Sequence, residues 1–158
     1  RVRGEYADDF DGLTRYGGRL LWESSNRLGF DTTMDYRRES LGNGRHDDLW
    51  TGDANAVVRF AQSEWVAMRS GLGINYISAD HGTNVGFNFT YGGDWFPAEP
   101  WVVSAEFDWG WIGNSSLIHA RTTIGVVIRA VELYAGYDYF DVGTGLMHGV
   151  VSGVQLWY

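Results

Sequence analysis

Asp108, His119, Arg121 and Asp138 are the residues of this chain best equipped for chemistry. A histidine with two carboxylates is the raw material of a general base and an orienting partner. Alternation puts all four on one face of three consecutive segments, towards the same end. The plainer reading is that His119 and Arg121 pair with Asp108 and Asp138 and fill space. The loops beside them look too short to build a substrate groove, so no enzyme activity is expected. An enzyme acting on lipid or peptide through His119 with Asp108 and Asp138 stays an alternative. His46 lies beside Asp47 and Asp48, and His81 lies in another loop, but neither spacing matches a strong metal-ligand pattern. Asp8, Asp9 and Asp11 read as a solvated loop, with divalent-cation attraction as the sharper alternative. There is no Cys, so a disulfide or thiolate site is excluded. Gly17-Gly18 and Gly71-Leu72-Gly73 fall inside extended segments and are not nucleotide loops; glycine there eases curvature or leaves room for an arginine. No metal and no cofactor are expected.

Composition bounds the rest. All 12 basic residues are Arg, and the net charge of -8 argues against a nucleic-acid partner. Eight Trp, nine Tyr and eight Phe are a heavy aromatic load for 158 residues, which by length form one domain, 1–158. No apolar run is long enough for a transmembrane helix. A mean hydropathy of -0.24 is compatible with strands that alternate apolar and polar residues. Arg1-Val2-Arg3 opens directly into patterned sequence, as in a processed chain or a trimmed domain.

The elements that position these residues are strands. Ten segments carry a period of 2 and none sustains a period of 3.6. They are predicted at 2–9, 13–23, 27–37, 48–62, 65–78, 85–96, 101–111, 117–128, 131–140 and 146–158. Tight turns fall at 24–26, 63–64, 97–100 and 129–130. Loops fall at 39–47, 80–84, 113–116 and 141–145, with Asp11-Gly12 as a further turn. The first strand is the weakest of the ten. Both prolines, Pro97 and Pro100, sit in one turn, where no ladder N–H is needed.

Alternation does not say which face is inside. A soluble, lipocalin-like binding barrel would hide the apolar face; a membrane barrel would expose it. Three features favour the membrane. The apolar face carries long aliphatic and aromatic side chains on nearly every strand, more than a small interior holds. The opposite face nearly balances its charges without any Lys. Arg15, Arg19, Arg37, Arg59, Arg69 and Arg121 would oppose Asp31, Asp35, Asp53, Asp94, Glu106, Asp108, Glu132 and Asp138 in a lumen network, with Arg27 and Glu23 on the same face. Planar guanidinium groups can pair with several carboxylates in a packed lumen. Finally, the aromatics on the apolar face gather at strand ends. Trp22, Phe60, Trp95, Trp101 and Tyr158 lie beside the tight turns and C-terminus. Tyr16, Tyr36, Trp50, Tyr76, Trp109, Trp111 and Tyr139 lie beside the loops. Two aromatic girdles around an aliphatic band match the two bilayer interfaces.

The last segment, Leu146 to Tyr158, ends the chain on an aromatic residue with Leu146, His148, Val150, Ser152, Val154 and Leu156 on Tyr158's face. His148 on that face reads as an interfacial histidine. A chain closing on such a strand resembles the small bacterial outer-membrane β-barrel proteins, the OmpA/OmpX/OmpW-like class. The resemblance implies an all-β, antiparallel up-and-down transmembrane barrel of about ten strands, with both termini and the tight turns on the periplasmic side. It implies residence in the bacterial outer membrane, contact with its lipid and lipopolysaccharide, delivery by barrel-assembly machinery through the C-terminal strand, and a possible protein partner in the membrane. The expected role is structural, anchoring or surface interaction around a lumen filled by Arg–carboxylate pairs; a narrow pore for ions or small solutes is the alternative.

Overall fold

In the computed structural model, which describes residues 1–8, 13–41, 45–79, 82–143 and 145–158, ten antiparallel strands close into one barrel. They are β1 (Val2–Asp8), β2 (Leu13–Glu23), β3 (Leu28–Leu41), β4 (Arg45–Gln62) and β5 (Val66–Ala79). The circuit continues through β6 (Gly82–Ala98), β7 (Trp101–Ile112), β8 (Ser115–Ile128), β9 (Val131–Val142) and β10 (Gly145–Leu156). Each strand pairs with its sequence neighbours, and β1 pairs with β10 from Val2↔Leu156 to Asp8↔Val150. Closure removes the sheet edges that hydrocarbon would leave unsatisfied. Both termini lie at the end that carries the β2–β3, β4–β5, β6–β7 and β8–β9 turns.

Local chemistry sets those turns. Arg27 and Arg129 take left-handed backbone, with φ of 71° and 62°. Asn26 Oδ1 accepts the Leu28 N–H at 3.2 Å, and Ser63 Oγ accepts from Trp65 and Val66 at 3.2 and 3.1 Å. Arg27 is therefore an exposed turn residue and not a lumen charge, because the turn extends one position further than its alternation suggests. Pro97 does not end its strand either. It sits in a bulge between Trp95 and Ala98, where the ladder needs no donor.

The far end departs more from expectation. Much of the loop expected at 39–47 is ladder: Glu39 pairs with Asp47 and Leu41 with Arg45. Ala79 pairs with Gly82, Ile112 with Ser115 and Val142 with Gly145. Backbone pairing continues past the point where side-chain alternation fades, so the connections are shorter than predicted. The expected sites at Asp9, Asp11-Gly12, Gly42-Asn43-Gly44, Asp80 and His81 lie outside the described residues.

The barrel is apolar outside and polar inside. Among the described residues nine hydrophobic and nineteen polar or charged side chains are buried, whereas Trp22, Leu28, Leu72, Ile74, Ile124, Ile128 and Leu133 are all more than half exposed. Water would reverse that distribution, and a bilayer selects it. The folded protein is expected to need detergent and to run at different positions on SDS gels with and without boiling. A monodisperse, detergent-free protein with one gel position would contradict the membrane reading.

Candidate functional site

Small inward residues make room for large charged ones. A Cβ on Gly17 would collide with the Glu5 and Asp35 carboxylates, and one on Gly92 would press on the Arg69 guanidinium at 3.1–3.3 Å. Gly17 thus makes room for carboxylates and Gly92 for an arginine.

Glu5 of β1 is the centre of the lumen. Its Oε2 lies 3.1 Å from Arg3 Nε, and its Oε1 lies 3.0 Å from Arg15. It accepts two hydrogen bonds from Arg121, at 2.9 and 2.5 Å, and one from the Tyr134 hydroxyl at 3.0 Å. Arg121 also donates to Asp138 at 3.0 Å. Glu106 of β7 is the second hub, reached by Arg3 at 3.0 Å, by Arg69 at 3.3 Å and by Arg19. Arg19 also donates to Asp31 at 2.6 Å, and Arg15 to Asp35 at 3.2 Å. Arg1 and Arg69 reach Asp94 at 2.5 and 3.0 Å. The links of Glu5 to Arg121 and of Arg3 and Arg19 to Glu106 run across the lumen, from β1–β2 to β7–β8. Buried charges are tolerated only when paired and hydrogen-bonded in this way.

His119 is clamped. Nδ1 is 3.1 Å from Asp108 Oδ2 and Nε2 is 2.9 Å from Asp138 Oδ1. Its ring packs edge-on against Phe140, with centroids 5.6 Å apart. Asp108, His119, Arg121 and Asp138 do meet, as their alternation predicts, but both ring nitrogens are engaged by carboxylates. That geometry suits a structural bridge better than a base awaiting a proton.

The other expected network members divide. Arg37 donates to Thr51, lies 3.6 Å from Asp35 and covers the Phe140 ring at 4.2 Å. Arg59 sits near the terminus end, 3.7 Å from Glu23. Glu132 is held by neutral donors, Gln155 Nε2 at 2.9 Å and Trp157 Nε1 at 2.8 Å. Asp53 accepts from Thr33 and Asn55 and makes no salt bridge among the described residues. All twelve girdle aromatics lie on the outward face. Tyr36, Tyr76 and Tyr139 are half-buried and the other nine are exposed. His148 also faces outward and bonds the Tyr137 hydroxyl at 2.6 Å, whereas His46 is exposed.

Sequence reasoning missed three parts. Arg3 and Glu5 were overlooked in a short strand, although Val2, Gly4 and Tyr6 alternate with Arg3, Glu5 and Ala7. A neutral wall of Thr51, Asn55, Asn75, Asn88 and Thr90 faces the charged half. Packed side chains gather at both ends of the lumen. Ile112, Leu117 and Phe140 pack with Ile77, Val142 and Met147 at the loop end. At the terminus end the Arg1 guanidinium stacks 3.9 Å over Trp157, which packs on Phe96 with centroids 5.9 Å apart. Small voids lie among the lumen side chains. One of about 20 Å³ is bordered by Asp53, Asp108 and His119, and another of about 10 Å³ by Arg3, Glu5 and Arg19. A third of about 20 Å³ lies beside Ala7, Leu13 and Met147.

No protein-family model matches the chain, and no curated protein matches it in sequence. Among solved structures it is similar to the NanC porin. That likeness covers 99% of this chain and 98% of the other, with a TM-score of 0.57 and 9% sequence identity. The shared feature is the fold, a closed barrel traced along nearly the whole of both chains.

Proposed function

We propose that the protein is a narrow pore of the bacterial outer membrane for ions or small solutes, closed in this conformation. The observation that carries this reading is the lumen: it is charged and amide-lined, with water-sized voids among its side chains. A barrel selected only for stability gains little from burying so many charges, since apolar filling is often as stable. The porin whose fold it resembles supports the same reading. The Ile112–Leu117–Phe140 cluster is then a hydrophobic constriction, a kind of gate that works by excluding water. Tight turns and termini would face the periplasm. The strand ending near Tyr158 would serve barrel assembly, and lipid with lipopolysaccharide would surround the belt. The reading is non-enzymatic.

The second reading is a sealed barrel that anchors or presents a partner. It is favoured by the small size of the voids beside Asp53, Glu5 and Met147, each about 10–20 Å³. Planar-bilayer recording separates the two. The pore reading expects brief, small conductance steps from the wild-type protein and longer openings from Phe140→Ala. A wild type that stays silent at every voltage, while Phe140→Ala conducts, would establish the sealed barrel instead.

A further inference from the structure

We infer that the lumen binds a single alkali-metal cation beside Asp53. The inference stands on the lumen's own geometry and is independent of whether the barrel conducts.

Three acids near this point have basic partners. Asp31 has Arg19, Asp35 has Arg15, and Asp108 has His119. Asp53 makes no salt bridge among the described residues, although Arg19 borders a neighbouring void with it; its hydrogen bonds come from the Thr33 hydroxyl and, at 2.7 Å, from Asn55 Nδ2. A buried carboxylate without a counter-charge is costly. The void of about 20 Å³ lies against it, room for one water-sized body.

A second, independent feature points to a ligand in the same void. Asn75 and Asn88 both line it, and the Oδ1 of each is buried without a hydrogen-bond partner. Their amide nitrogens are already committed. Asn75 Nδ2 donates to the Phe87 carbonyl at 3.0 Å, while Asn88 Nδ2 donates to Asn55 Oδ1 at 3.1 Å and Asp108 Oδ1 at 3.4 Å. Each side chain therefore leaves an acceptor unclaimed, and a buried acceptor without a donor is destabilising. One carboxylate and amide oxygens around a small void form a site for a hard cation.

Charge selects a monovalent ion. Of the carboxylates bordering this void, Asp53 alone makes no salt bridge, so one positive charge suffices there. No group of three His, Asp or Glu among the described residues is arranged to hold a metal, which disfavours a divalent ion. His119 borders the void, but its ring nitrogens are directed to Asp108 and Asp138.

The test is crystallographic. Crystals of the detergent-solubilised protein are soaked in a thallium(I) salt, with thallium standing in for potassium, and an anomalous map is calculated. The expected result is one peak in contact with Asp53, Asn75 and Asn88. Crystals of Asp53→Asn, which keeps the side-chain shape and removes the charge, are expected to lose it. An empty or water-filled void in the wild type, as a protonated Asp53 would give, overturns the proposal. So does a peak that persists in Asp53→Asn. The wild-type map decides the question if the variant does not crystallise.

Discussion

Arg121→Met is expected to lower the unfolding free energy of the barrel by about 3–5 kcal/mol, the usual cost of removing one partner from a buried ion pair. Arg121 holds Glu5 with two hydrogen bonds and Asp138 with a third. Methionine fills part of the volume but leaves carboxylates facing each other across a lumen with little room for water. The lost energy belongs mostly to the abandoned carboxylates, so Glu5→Gln should recover part of it. The double variant is then more stable than the sum of the single changes, with a coupling of about 0.5–3 kcal/mol. Urea unfolding in detergent micelles, followed by tryptophan fluorescence and by gel position, measures all four proteins of the cycle. Unchanged midpoints would mean that the network fills the lumen without holding its walls together.

Leu72→Arg gives the second large effect. Leu72 lies near the middle of β5 with 57% of its surface exposed. On a water-soluble barrel, charging so exposed a position changes stability by no more than about 0.5 kcal/mol in either direction. At the midplane of a bilayer the same change costs about 2–4 kcal/mol. Unfolding from lipid vesicles is therefore expected to show the larger loss. Leu28, equally exposed but next to a turn, should tolerate Arg with a cost near zero to 1 kcal/mol, because the interface is wet. Equal costs at the two positions would remove the membrane from the explanation.

Much of the architecture is visible in the chain because strand alternation here is strict. In β7, Trp101, Val103, Ala105, Phe107, Trp109 and Trp111 leave no doubt about parity, and Ser104, Glu106 and Asp108 fall on the other face. Strand ends are less visible. A ladder is built from backbone groups, so it runs past the last patterned side chain, as the Glu39↔Asp47 pair does. Cross-lumen partners are not visible at all. Nothing local relates Glu5 to Arg121, 116 positions later, since the barrel's curvature and stagger decide which charges meet. The apolar cluster at the loop end is hidden in the sequence for a related reason. Ile112, Leu117 and Phe140 interrupt a polar face singly, and their clustering appears only when three strands are brought together.

The seam between β1 and β10 has a kinetic consequence. Every other pairing joins strands that follow one another, and each can form as a hairpin with little chain to search. The seam joins Val2 to Leu156, the two ends of the chain. Loop closure of that length carries the largest entropic cost in the molecule, although each doubling of a loop adds only about 0.6 kcal/mol. The strand that makes this last connection also carries Arg3 and Glu5. Their partners Arg121 and Glu106 lie on β8 and β7, so cross-lumen contact and ring closure are gained in one event. Until then those charges can stay hydrated, and the growing sheet need not bury any of them alone. The seven described residues of β1 are in this sense the clasp of the barrel: their pairing with β10 locks the interior as it closes the edge.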